Sequence, residues 1–120
     1  MDLEALAEMM GCTVVRSVPV SGHWGEYDAS AHEIRLHPRL HGAQARSVLA
    51  HELGHAAHRH ESSTARTERE ADAFSDWVQI PLCMFLRAVQ VQESMQAVAC
   101  ELGVLPADAR RYAERLVTKK

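Results

Sequence analysis

Two histidines spaced four residues apart, His51 and His55, constrain this chain more than any other feature of its sequence. They lie in a segment whose apolar residues recur at helical spacing, namely Val48, Leu49, Leu53 and Ala56. This pattern predicts a helix over about 43–59. Because residues i and i+4 share one face of a helix, both imidazoles can reach a single metal ion. Zinc is the natural occupant of a histidine and carboxylate site with an open position, so the sequence predicts one Zn²⁺ ion here.

Glu52 follows the first of these histidines and is the candidate catalytic residue. In a His-Glu-x-x-His helix the glutamate projects to the side of the metal. There it can take a proton from zinc-bound water and pass it to a leaving amine. The motif therefore predicts a zinc metallopeptidase. The alternative is a histidine-rich, solvated helix that binds no metal.

A catalytic zinc site normally has a third protein ligand. Glu68 is the preferred candidate, because Glu68 and Asp72 are again i and i+4 on the following helix. Asp72 can then accept a hydrogen bond from the outer nitrogen of a ligand histidine. The alternative for this pair is an ordinary charged helix start. His58 and His60 are expected to face solvent, since His58 lies about 10 Å along the helix axis from His51 and His60 lies past the helix end.

The second helix of the site is predicted from its start signal. Thr67 as N-cap and Glu70 three residues later fit a capping box, and the helix is expected to run until Pro81. This structural role makes Glu70 a weaker candidate for the third ligand than Glu68.

Glycine and proline residues divide the rest of the chain into short predicted helices and strands. A helix is predicted over 2–10, and a small sheet over about 13–37 with strands at 13–18, 26–28 and 33–36. The active-site helices span about 43–80, and two or three further helices are predicted, at roughly 82–91, 94–102 and 106–117. With 47% apolar residues the chain can bury a core. The fold class is α+β and mainly helical, with residues 1–120 in a single domain.

Charge and cysteine content indicate the cellular compartment of the protein and disfavour some classes of partner. The formal net charge of −3 does not favour nucleic acid or an anionic membrane, and no apolar run is long enough to span a bilayer. Cys12, Cys83 and Cys100 are expected to be free, buried thiols of a cytoplasmic protein, and the acidic N-terminus lacks a signal-peptide pattern. The basic residues near the C-terminus are expected to form a solvated helix face: Arg110, Arg111, Arg115, Lys119 and Lys120.

From about Gly25 to Pro81 the chain resembles the zinc metallopeptidase family named after ImmA and IrrE, in particular its short members common in phages and mobile elements. The resemblance is carried by Gly25-Glu26-Tyr27-Asp28, Ile34-Arg35-Leu36, the segment 44–50 that leads into His51–His55, and Glu68-x-x-Ala71-Asp72-x-Phe74. It implies that His51, His55 and Glu68 are the zinc ligands and that Glu52 is the catalytic base.

The resemblance also implies a gluzincin-like zincin fold, in which a strand bordering the cleft pairs with an extended substrate. Glu33–Leu36 is the expected edge strand. Two features depart from the family pattern. Only 12 residues separate His55 from Glu68, which is compact, and Ser75 stands where alanine is more usual.

Family members with assigned roles cleave helix-turn-helix repressors of phages, mobile elements or stress regulons. The resemblance thus implies a protein substrate of this kind in the cytoplasm of a bacterial host. Direct nucleic-acid binding is not expected. Residues 97–116 faintly resemble a helix-turn-helix, but a packed helical hairpin is preferred, and its basic helix could also dock an acidic partner. The alternative is a metal-containing regulatory protein that binds a repressor or DNA without cleaving it. Glu52 favours catalysis, because a binding protein needs no general base.

The sequence assigns no catalytic role to several aromatic and histidine side chains. Trp24 and Trp77 are expected to be packing residues. The group that stabilises the oxyanion is unassigned among His23, His32, His37, Tyr27 and Tyr112. Manganese could replace zinc, since two histidines and a carboxylate discriminate only partly between divalent ions.

Overall fold

The computed structural model describes residues 1–118 as six helices and three strands. In chain order these are α1 (Leu3–Met9), β1 (Thr13–Arg16), β2 (Gly25–Asp28), β3 (Glu33–Leu36), α2 (Gly42–His58), α3 (Ala65–Gln79), α4 (Leu82–Val91), α5 (Met95–Leu102) and α6 (Pro106–Thr118). The α+β, mainly helical class predicted from the sequence is confirmed. Lys119 and Lys120, the last members of the predicted basic face, lie outside the described residues.

The strands form one mixed sheet in the order β1-β3-β2. β1 runs parallel to β3, and β2 runs antiparallel to it, with Gly25 opposite Leu36 and Asp28 opposite Glu33. The prediction that Glu33–Leu36 is the edge strand is therefore wrong, because pairing on both sides makes β3 the central strand. Its burial agrees: Ile34 is 0% exposed and Leu36 is 2% exposed. The strand beside the helix of the histidines is β2, which contacts α2 along one side.

Buried side chains form two clusters. The first joins α1, the sheet, α2 and the end of α3, with Ile34, Leu53 and Val78 among its members. The second joins α4, α5 and α6, where Phe85 packs on Tyr112 with ring centroids 4.8 Å apart. Helices α5 and α6 thus pack on each other, and the preference for a helical hairpin over a helix-turn-helix stays a prediction. Cys12 is buried as expected, whereas Cys83 and Cys100 are exposed, contrary to expectation.

Helices α2 and α3 approach each other most closely at Gly54 and Ala71. A Cβ atom on Gly54 would lie 2.7 Å from both the Cα and the carbonyl oxygen of Ala71. Only a residue without a side chain fits this spacing. The contact fixes the separation of the two helices, one of which carries His51 and His55 and the other Glu68.

Helix α3 begins earlier than predicted. Its N-cap is Thr64, whose hydroxyl oxygen accepts from the backbone N–H of Thr67, while the Thr67 hydroxyl oxygen accepts from the backbone N–H of Thr64. The predicted capping box of Thr67 and Glu70 is therefore wrong, since the threonine hydroxyl takes the part expected of a glutamate. Glu68 consequently lies in the first turn of the helix.

Asp76 joins helix α3 to helix α6. Its side chain is only 2% exposed, and its two carboxylate oxygens accept hydrogen bonds from Arg111, at 2.6 Å, and Arg115, at 2.9 Å. Arg111 also lies 3.3 Å from Asp108 Oδ1. The expectation of a solvated basic face is wrong for these two arginines, because they neutralise buried carboxylates.

We expect Asp76→Asn to lower the free energy of unfolding by about 3 kcal/mol, because it leaves two guanidinium groups without their shared counter-charge. Urea denaturation at neutral pH followed by circular dichroism measures the change. Arg66→Gln is the matched control, since Arg66 is 81% exposed and pairs with Glu70 across 3.5 Å of surface. An equal change in both variants would contradict a structural role for the Asp76 pairs.

Candidate metal centre and active site

Three side chains from two helices converge at one point. His51 Nε2 lies 3.2 Å from His55 Nε2 and 3.0 Å from Glu68 Oε1, and His55 Nε2 lies 3.0 Å from Glu68 Oε2. One ligand atom from each residue lies within 4.8 Å of the others. The two histidines come from one face of α2, and the glutamate comes from the first turn of α3.

This donor set fits a divalent metal ion. Zinc bonds of about 2.0–2.2 Å at tetrahedral angles place neighbouring ligand atoms about 3.3 Å apart, close to the separations of His51, His55 and Glu68. Two imidazole nitrogens and a carboxylate that face one another require a proton or a cation between them. The residues therefore form a candidate metal site with two nitrogen donors and one carboxylate. The identity of the metal enters with the proposed function below.

Asp72 contacts the ring nitrogen of His51 that does not face Glu68. Its Oδ1 accepts a hydrogen bond from His51 Nδ1 at 2.9 Å, which leaves Nε2 directed at Glu68. Burial alone would lower the pKa of His51, but the hydrogen bond to Asp72 and the charges of Glu52, Asp72 and Glu68 outweigh it and raise this pKa. Arg111 Nη1 lies 3.6 Å from Asp72 Oδ1, so helix α6 also reaches this side of the site.

The second histidine has a different partner, His60. Its Nδ1 lies 2.9 Å from His55 Nδ1, and its Nε2 donates to Glu70 Oε1 at 2.8 Å. The expectation that His60 faces solvent is wrong, because its side chain is only 9% exposed. His58 is exposed, and its ring stacks on that of His60.

Glu52 is buried in the same cleft, with 8% of its surface exposed. Burial raises the pKa of its carboxyl group to about 7, against the lowering effect of the positive charge of His51. Strand β2 passes close by: a Cβ on Gly25 would lie 3.3 Å from Glu52 Cγ and would collide with Val48 Cγ1. A glycine at this position thus lets the strand approach the carboxylate.

The cleft has a volume of about 1020 Å³ and runs between β2 and the helices. Residues of β2 line it together with His51, Glu52, His55 and Glu68. Trp24 stands on the rim, 54% exposed, with its ring against His37, and Trp77 on α3 is 71% exposed. The expectation that both tryptophans are packing residues is wrong.

An ion-pair network on β2 and β3 was not foreseen from the sequence. Glu26 accepts from Arg35 Nε at 2.6 Å and from the backbone N–H groups of Val20 and Ser21 at 3.1 and 3.0 Å. Burial would raise the pKa of Glu26, but these donors outweigh it and lower the pKa to about 2. The only sequence signal was the alternation of charged and apolar residues in both strands.

Glu26 should therefore stabilise the fold in a pH-dependent way. A carboxylate whose folded pKa lies below its unfolded value stabilises the protein fully above about pH 4.5, and this stabilisation is lost as the pH falls toward about 2. We expect Glu26→Gln to cost about 1–3 kcal/mol at pH 7. Urea denaturation at several pH values should show the gap between wild type and variant closing on acidification. A gap that stays constant with pH would contradict the assignment.

Two histidines on one helix, a glutamate on the next and a buried carboxylate beside them match the arrangement of an HExxH metallohydrolase site. The chain matches the model of the peptidase family M78, described as the IrrE N-terminal-like domain, over residues 7–111, and it belongs to that family. It is thus a member of a metallopeptidase family, and the resemblance to the ImmA and IrrE family is confirmed. None of the curated proteins matches the chain. Within residues 1–118, no helix has both the length and the apolarity to cross a membrane.

Proposed function

We propose that this protein is a zinc-dependent endopeptidase with Glu52 as its general base. The observation that carries the proposal is the convergence of His51, His55 and Glu68 in the cleft where Glu52 is buried. When bound, the zinc ion supplies Lewis acidity, which lowers the pKa of a water molecule and polarises the scissile carbonyl.

Glu52 handles the protons of the reaction. Its carboxylate takes a proton from the attacking water molecule, holds it at a carboxylate oxygen, and donates it to the leaving amide nitrogen. Burial favours this exchange, because it disfavours the charged carboxylate and so helps Glu52 to hold the proton. Only 8% of Glu52 is exposed, so solvent stabilises its carboxylate little.

Strand β2 offers the binding edge for an extended peptide. Within the described part of the chain it pairs only with β3, so the backbone groups on its other side have no strand partner. The same strand lines the cleft that also contains the histidines. A substrate strand that adds to this edge would lay a peptide bond across the cleft, with main-chain hydrogen bonds giving affinity.

The proposed substrate is a regulatory protein, such as a helix-turn-helix repressor encoded by a phage or a mobile element. This part of the proposal rests on the resemblance to the ImmA and IrrE family and on the membership in family M78. Such regulators act on DNA in the bacterial cytoplasm, and the proposal places the enzyme there with them.

A peptide library of mixed sequence tests the activity on many candidate bonds at once. We expect the zinc-loaded protein to cleave internal bonds in a subset of peptides, as read by mass spectrometry of the new termini, and a chelator to abolish cleavage. Cleavage that survives the chelator would point to a contaminating protease. If the library and bacterial repressors stay intact with zinc bound, the protein is a binding protein that does not cleave.

A further inference from the structure

The C-terminus of α2 places one histidine against another. Arg59 has a positive φ of 49°, and its backbone N–H donates to the carbonyl of Ala56 at 3.1 Å. The next N–H, that of His60, donates to the carbonyl of His55 at 3.0 Å. This pair of hydrogen bonds is the Schellman motif, which folds the residue after the turn back onto the last turn of the helix.

In most Schellman motifs the contact made by this folding is apolar. Here it is a hydrogen bond between two imidazoles, because Nδ1 of His60 lies 2.9 Å from Nδ1 of His55. Glu70 Oε1 lies 2.8 Å from Nε2 of His60, on the far side of the ring. The result is a chain of three side chains that leads from the candidate metal site to helix α3.

The tautomers of imidazole decide which atom donates in each of these hydrogen bonds, from His55 through His60 to Glu70. A neutral histidine that binds a metal through Nε2 carries its proton on Nδ1. His55 must then donate from Nδ1, so His60 accepts at Nδ1 and carries its own proton on Nε2. That proton points at Glu70. One metal bond on His55 thus fixes the tautomers of both rings, and Glu70 supplies the acceptor at the end.

We propose that His60 is a positioning residue that orients His55 as a metal ligand, and that Glu70 serves only to select the tautomer of the His60 ring. The inference rests on the proposed function, because it requires a metal at Nε2 of His55. His51 is oriented directly by the Asp72 carboxylate at 2.9 Å, whereas His55 reaches its carboxylate through an intervening imidazole. Outer partners of this kind fix the ring and increase its basicity, and their loss typically costs 10–100-fold in metal affinity.

Two amide substitutions at His60 separate its two contacts. In His60→Asn the amide oxygen stands where Nδ1 was and can still accept from His55, but the contact with Glu70 is lost. In His60→Gln the amide reaches the position of Nε2 and keeps Glu70, but nothing accepts from His55. The matched control is His41→Ala, an exposed histidine before the opposite end of α2.

The experiment measures the zinc dissociation constant of each variant by competition with a chromophoric chelator, with circular dichroism to compare the folds. We expect His60→Ala and His60→Gln to bind zinc about 10–100-fold more weakly. We expect His60→Asn to stay within about threefold of wild type and His41→Ala to be unchanged.

Equal affinities in all variants, or equal losses in the asparagine and glutamine variants, would overturn the positioning role while leaving the proposed function intact. A wild-type protein that binds no zinc would overturn both. The asparagine variant also controls for folding, since it removes the same ring as the glutamine variant.

Discussion

Replacing Glu52 with glutamine should abolish peptide hydrolysis and leave one metal ion bound. The amide has nearly the shape of the carboxylate but cannot take a proton from water, and general-base catalysis of this kind is worth about 10²–10⁴-fold in rate. Metal binding should persist, because the three converging ligand atoms belong to His51, His55 and Glu68. The rate on a cleaved library peptide and the zinc content are measured on the same preparation.

Glu61→Gln is the matched control for this variant, because Glu61 is exposed and lines the same cleft. We expect it to keep both activity and zinc. If Glu52→Gln loses zinc together with activity, Glu52 has a structural role at the metal site. If it keeps full activity, the general base is another group.

Replacing Gly54 with alanine should separate α2 from α3. The new methyl group gains about 1 kcal/mol in helix propensity, but it would lie 2.7 Å from backbone atoms of Ala71, which cannot rotate away. We expect a net loss of about 2–4 kcal/mol in the free energy of unfolding. We also expect weaker zinc binding, because Glu68 lies on the displaced helix. Urea denaturation and chelator competition measure the two effects.

Two further variants show whether the contact with the backbone of Ala71 causes the losses of stability and zinc affinity in Gly54→Ala. Gly54→Ala combined with Ala71→Gly should be no more stable than Gly54→Ala alone, because the clash is with backbone atoms of residue 71. Ala57→Gly, on the exposed side of α2, should lose only about 1 kcal/mol of propensity and keep its zinc affinity. Rescue by the double variant would contradict the assigned contact.

Local signals predicted the part of the site that lies within single helices. The spacing of His51 and His55, and of Glu68 and Asp72, follows from helix geometry alone, and the structure brings all four together. Their roles in binding and catalysis remain predictions. The three strands and the positions of the helices were also predicted, with the number after Pro81 left at two or three, because glycine, proline and apolar periodicity mark most of their ends.

Contacts between distant segments could not be predicted in this way. β3 is central only because β1, more than a dozen residues earlier, pairs with it in parallel. His60 reaches His55 only because Arg59 adopts a positive φ, a conformation that the sequence would suggest for glycine. The pairing of Asp76 with Arg111 depends on where α6 lies relative to α3, which no local pattern encodes.

The α6 contacts extend the site beyond the helices that carry the motif. Arg111 lies 2.6 Å from Asp76 and 3.6 Å from Asp72, which in turn accepts from His51. The C-terminal helices therefore support the same carboxylate that orients the first histidine.

The metal content of the purified protein tests most directly the claim that His51, His55 and Glu68 bind a zinc ion. Mass spectrometry of protein purified without added metal compares wild type with Glu68→Ala and with Glu61→Ala, whose side chain lines the cleft outside the donor set. We predict one equivalent of zinc in wild type and in Glu61→Ala, and its loss in Glu68→Ala. An absence of metal from wild type under any loading condition, or equal zinc in Glu68→Ala, would contradict the account.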